Sequence, residues 1–165
     1  MSHPNPSSLV EIVSVPIGRW AVAMAPVQIR TLLGSCAGVV LYDRAARLGG
    51  LAHVVLPDSR GAADHPGKFA DTAIPALIAD LESKLGRSMR GRLLAKIAGG
   101  ARMFQTGAAT NIGRMNHDAV EQILANLGIP IVARDVGGET GRRLTLDTLS
   151  GIVSIRIPGG ADYQI

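Results

Sequence analysis

At 165 residues with 47% apolar side chains the chain is long enough for a well-filled core, and with one Trp, two Tyr and two Phe that core has to be built from Val, Ile, Leu and Ala. Seventeen basic against 13 acidic residues give a formal charge of +4, an excess that suits acidic protein surfaces or nucleic acid as partners and excludes neither. A single cysteine excludes an internal disulfide, no apolar run approaches the roughly 18 residues of a membrane span, and MSHPNPSSLV lacks the basic and apolar regions of a signal peptide, so the expectation is a soluble cytoplasmic protein without membrane insertion.

Met1 to Ser8 is polar and proline-bearing and reads as a flexible tail ahead of one domain over residues 9–165. LVEIVSV, WAVAMA and VQIRTLL are short, rich in β-branched residues, and read as strands. GVVLYD, the turn RAAR and LGGLAHVVLP read as a hairpin, with Gly49 and Gly50 easing its second strand. From Lys68 to Leu85 the apolar period becomes helical, through Phe69, Ile74, Leu77, Ile78, Leu81 and Leu85, with Gly86 as C-cap. Pro75 falls inside that span and predicts a kink or a start nearer Asp71. RLLAKIAGGA reads as a buried strand ending in a glycine pair. Asn116 reads as the N-cap of a second helix with Ala119, Val120, Ile123, Leu124 and Leu127 on its apolar side and Gly128 at its end. IPIVARDV, RRLTLD and GIVSIRI follow as strands, the last two a hairpin. The fold class is α/β: a sheet-rich layered sandwich of mixed and antiparallel strands, with two main helices covering one face.

The first hairpin carries the one cysteine, Cys36, and one of four histidines, His53. If its turn centres between Arg44 and Ala45, the two fall directly opposite each other on one face, with Cα atoms roughly 4.5 to 5.5 Å apart. A thiol near its free pKa is mostly protonated at neutral pH, and an adjacent imidazole can take its proton and return it to a leaving amine. Gly34 and Ser35 leave room for a substrate carbonyl, and their N–H groups, with that of Cys36, are candidate oxyanion donors. A cysteine in a valine-rich segment also fits a small core hydrophobe, and His53 a structural histidine; the register decides between these readings.

TLLGSC followed by GVVLYD and GGLAHVVLP resembles the signature of the chemoreceptor glutamine deamidases of bacterial chemotaxis, the CheD family. The resemblance continues in family order through KFADTAIPAL, AKIAGGARMF, NIGRMN, LGIPIVARDVGGETGRR and SGIVSIRI. It implies an α/β/β layered fold shared with some bacterial toxin deamidases, and hydrolysis of receptor glutamines to glutamate with release of ammonia, without metal or organic cofactor. It implies that Cys36 is the nucleophile, His53 its partner, and Thr31 a third site residue. Family members often read T-L-G-L-G-S-C, one residue longer between Thr and Cys than TLLGSC here. The resemblance also implies a CheC-type phosphatase as protein partner. The alternative in a different class is a weakly catalytic or non-catalytic binding regulator of that phosphatase.

Other clusters carry less. His65 with Asp58 and Asp64 matches no standard ligand spacing, so no metal site is expected. The glycines at 99–100 and 137–138 lack a phosphate-loop context and read as tight turns beside the site. Arg142 reads as solvated. The run Lys84, Arg87, Arg90, Arg92, Lys96 has no interleaved aromatics for stacking bases and reads as a solvated face, so no nucleic-acid partner is expected.

Overall fold

The most apolar segments of the chain become its most buried strands. In a computed structural model, which describes residues 9–107 and 111–165, β4 (Ala37–Asp43) and β5 (Leu48–Val54) are buried along their whole length. The Met1–Ser8 stretch lies outside the described residues. β4 and β5 are the centre of a five-stranded sheet, flanked by β2 (Trp20–Met24) beside β5 and by β6 (Leu94–Gly99) and β7 (Ile131–Val136) beside β4. A second five-stranded sheet runs β1 (Glu11–Ser14), β3 (Val27–Leu33), β8 (Arg142–Asp147), β9 (Val153–Arg156), β10 (Tyr163–Gln164). Each sheet is mixed: β6–β7 and β1–β3 are parallel and the other pairings antiparallel.

Strand alternation explains the layers. Val39 and Leu41 of β4 pack with Ile74, Leu77 and Leu81 of α1 (Ala70–Leu85) and Val120 and Leu124 of α2 (Ile112–Asn126). Val40, between them in sequence, packs with Ile29 of β3 and Leu144 and Leu146 of β8. The order is therefore helices, first sheet, second sheet, as expected for an α/β/β sandwich. Two glycines set how closely the layers approach. A Cβ on Gly50 would lie 2.6 Å from Leu77 Cδ1, and one on Gly49 2.8 Å from Leu146 Cδ2, so the bare backbone of β5 receives a leucine from each side.

Three details differ from the sequence reading. The hairpin pairs Gly38 with His53 and closes at Asp43–Leu48, so its turn centres between Ala45 and Ala46, one residue later than expected. The Asp43 carboxylate accepts the Ala46 N–H at 3.1 Å and holds the four-residue loop Arg44–Arg47, the stretch read as the turn, so that only its centre differs. Cys36 is thus a diagonal neighbour of His53, not its direct partner; a slip of two positions in the pairing leaves both on the same face. Second, α2 starts at Ile112, and Asn116 is a fully buried residue inside it, not its cap. Third, the basic run is not one solvated face: Arg92 is paired with Asp43 at 2.6 Å, and Lys96 donates to the oxygens of Gly151 and Ile165. α1 begins at Ala70 and contains Pro75, and Gly86 (φ 77°) ends it as expected. The two-residue β10 is too short to carry a periodic signal. No helix among the described residues is long and apolar enough to cross a membrane.

Candidate active site

Where β4 and β5 run out, the two sheets part around a cavity of about 630 Å³. It is lined by Thr31, Gly34, Ser35, Cys36 and His53, all five of the residues singled out from the sequence. Cys36 precedes the first residue of β4, His53 is the penultimate residue of β5, and Thr31 comes from β3 of the facing sheet. Both Cys36 and His53 are turned toward the inter-sheet side and are buried.

The hydrogen bonds around His53 determine which of its nitrogens carries the proton. Thr31 Oγ1 lies 2.8 Å from the Val15 carbonyl and 2.7 Å from His53 Nδ1. A hydroxyl has one proton, and a carbonyl can only accept. Thr31 therefore donates to Val15 and accepts from Nδ1–H. This tautomer leaves the lone pair on Nε2, which is buried and has no hydrogen-bond partner, the Cys36 thiol included. The shorter TLLGSC segment still delivers the Thr31 hydroxyl to the imidazole, because β3 places it from the other sheet and its distance in sequence from Cys36 is immaterial.

Burial governs the electrostatics. Desolvation pulls the His53 pKa down to about 4 and pushes the Cys36 thiol upward, with no charged neighbour opposing either shift. At neutral pH the site holds an uncharged imidazole and a protonated thiol.

The turn that carries Cys36 is fixed through three consecutive carbonyls. Gly34 O accepts from the Ala101 N–H at 3.0 Å, Ser35 O from Asn116 Nδ2 at 2.9 Å, and Cys36 O from the Gly100 N–H at 2.8 Å. Trans peptide geometry then directs the N–H groups of Ser35 and Cys36 opposite to the carbonyls of Gly34 and Ser35. The glycine pair is needed for this approach: Gly99 (φ 95°) would place a Cβ 2.3 Å from Cys36 O.

Sequence reasoning missed two residues of this framework. Asn116 Nδ2 also donates to Val55 O at 2.9 Å, so one carboxamide joins the chain before Cys36 to the chain after His53, just beyond the last ladder pair. The signal was present: Gly113, Asn116, Val120 and Leu124 form one buried stripe at helical spacing. Arg142, expected in solvent, is buried and donates to the carbonyls of Asp135, Gly137 and Thr140, which fixes the second glycine turn beside the site. Among the described residues no group of three or more His, Cys, Asp or Glu is placed to hold a metal ion, and Asp58 accepts the Arg60 N–H.

Residues 55–157 match the family model described as CheD chemotactic sensory transduction. The chain belongs to the CheD family. A CheD of Moorella thermoacetica, named "Probable chemoreceptor glutamine deamidase CheD", is 49% identical over 89% of this chain and 91% of its own length. A protein of Methanococcus maripaludis strain C6 with the same name is 44% identical over 88% of this chain and 94% of its own. One of Thermotoga maritima, named "Chemoreceptor glutamine deamidase CheD", is 44% identical over 90% of this chain and 93% of its own. The segment that matches the family model begins two residues after His53, and the alignments with these relatives, which cover 88–90% of the chain, extend over the residues before it as well.

Two outcomes are expected of this chain. Because the folded state keeps His53 neutral down to about pH 4 while an unfolded histidine binds a proton near 6.5, the unfolded state holds more protons between those values. Stability should therefore fall as pH drops from about 6.5 toward about 4, by up to about 3 kcal/mol from this group. Urea denaturation at several pH values should show that slope in the wild type and a shallower one in His53→Gln. Asn116→Ala strips the donor from two partly buried carbonyls and should cost about 2–4 kcal/mol. Asn116→Asp, which offers acceptors in place of donors, should be no better; a urea midpoint close to wild type in either variant would show that Asn116 does not hold the two chain segments together.

Proposed function

We propose that this protein is a chemoreceptor glutamine deamidase that hydrolyses receptor glutamine side chains to glutamate and ammonia through a Cys36 thioester. The observation that carries the reading is the tautomer lock: the proton on Nδ1 is held by Thr31, which leaves the unpartnered Nε2 lone pair of His53 in the cavity that contains Cys36. The names of the CheD relatives supply the substrate class.

The reaction starts from the neutral pair. As Cys36 Sγ attacks the amide carbon, its proton passes to His53 Nε2, and the Thr31 oxygen accepts from Nδ1–H and steadies the resulting imidazolium. The N–H groups of Ser35 and Cys36, held by the fixed carbonyls of Gly34 and Ser35, are the oxyanion donors. Collapse of the tetrahedral intermediate breaks the C–N bond, and the Nε2 proton leaves with nitrogen as ammonia. Water then gives a proton to His53 and attacks the thioester carbonyl. The C–S bond breaks, glutamate forms, and the proton returns to sulfur. The thiol–imidazole contact forms when substrate closes the cavity, since catalytic hydrogen bonds are commonly loose before it binds. A CheC-type phosphatase is the further protein partner in this proposal.

Cys36→Ser should fold and still bind a receptor cytoplasmic fragment, yet intact-mass analysis should find no amide converted to acid, because a hydroxyl is far less acidic than a thiol at this buried position. Deamidation by Cys36→Ser at the wild-type rate would make Cys36 a core residue and end the proposal. Thr31→Ala frees the imidazole to rotate and change tautomer and should lower kcat by on the order of 10²-fold, whereas Thr31→Ser, which restores the oxygen, should recover most of it. Equal loss in both would indicate that the methyl group, not the hydroxyl, matters at Thr31.

A further inference from the structure

The cavity around Cys36 and His53 has two arginines, Arg30 and Arg143, and no carboxylate in its lining. A glutamine carboxamide is neutral, so neither its binding nor its hydrolysis by a thiol calls for two cations. They sit on the outer face of the second sheet, on paired strands. Arg30 is opposite Thr145 and Leu32 opposite Arg143, which makes the two arginines diagonal neighbours. Among the described residues neither is in a salt bridge. Arg143 feels the charge of Asp162, but that carboxylate is committed to Arg156 through both its oxygens. Hydrophobic residues surround them. Ile17, Leu32, Met103 and Phe104 line the same cavity and are 64%, 66%, 47% and 50% exposed. Two smaller depressions, of about 390 and 300 Å³, continue from it along the face and meet at Arg143 and Arg156.

We infer that Arg30 and Arg143 are specificity-determining residues. They select glutamines displayed on an acidic amphipathic helix, whose carboxylates one turn from the target glutamine meet the two guanidinium groups and whose apolar side chains settle on Leu32, Met103 and Phe104. The spacing fits: carboxylates four residues to either side of the glutamine stand roughly 12 Å apart along a helix, and two arginines whose stems are roughly 7 Å apart on paired strands span that distance when their long side chains splay outward. The exposed apolar rim suits the apolar stripe of such a helix. This inference rests on the deamidase reading of the cavity and adds to it what part of the substrate, other than the glutamine, is recognised.

The test is a charge swap. The probes are two helical peptides, each with a single glutamine in an alanine and leucine background, flanked four residues away on both sides by glutamate in one and by lysine in the other. Wild type should favour the glutamate-flanked peptide in kcat/KM by on the order of tenfold at low salt, with the preference shrinking as salt is added. Arg30→Glu combined with Arg143→Glu should reverse the preference, and Arg30→Gln with Arg143→Gln should flatten it, with iodoacetamide labelling of Cys36 unchanged in both. If deamidation of either peptide is too slow to measure, the affinities of both for the Cys36→Ser protein give the same comparison. Equal treatment of the two peptides by wild type, or an unchanged preference in the charge-reversed protein, overturns the inference. Its failure is separable from failure of the deamidase reading, which is decided by the activity of Cys36→Ser.

Discussion

Burial of the central hairpin on both faces is the constraint from which the rest follows. Every residue of β4 and β5 is buried, so each position must be apolar, small, or supplied with a hydrogen-bond partner. Valine, leucine and alanine meet the first demand, and Gly49 and Gly50 the second. His53 meets the third: its Nδ1–H has a partner only because β3, in the other sheet, brings Thr31 to it. At the open end of the hairpin the carbonyls of Ser35 and Val55 lack ladder partners, and one carboxamide from α2 supplies both. The site is thus assembled from all three layers, each contributing the group that the central strands cannot supply for themselves.

The same burial sets the chemistry. Cys36 and His53 are themselves buried at the inter-sheet face, so the charged forms of thiol and imidazole are both disfavoured. Among the described residues no charged side chain offsets the desolvation of either group, so a preformed thiolate–imidazolium pair has nothing to hold it. The proposed reaction accordingly moves its proton as the sulfur attacks and not beforehand. Charge is kept outside: the arginines stand on the solvent face of the second sheet, where they remain hydrated and able to meet a partner, while the reacting groups stay neutral within.

Much was legible in the linear chain, and for a physical reason. Segment types depend on local periodicity, so the strands from VQIRTLL to GIVSIRI, the helix ending at Gly86 and a sheet-rich layered α/β class with helices on one face could be read from spacing, while the α/β/β layering came from the family resemblance. That Cys36 and His53 share a face was also readable, because strand alternation has a period of two and survives a register slip of two positions. The slip itself was not readable, since it depends on whether the Asp43 side chain captures the Ala46 N–H, a choice between turns of similar sequence.

What the sequence by itself determined is therefore the inventory: the thiol, the imidazole, the glycine turns and the strands that carry them. Only the tertiary structure decided their relations. Asn116 looks like a helix cap until two strand ends are seen to lack donors. Arg142 looks solvated until a glycine turn presents it with three carbonyls. Thr31 looks displaced by a shortened loop until the facing sheet carries it to Nδ1. Thr31 and Asn116 find their partners in a different layer of the fold, and Arg142 finds its own in the end of β7 and the loop that leads into its strand. Local pattern records what a residue does to its own segment and is silent about partners brought from elsewhere in the chain.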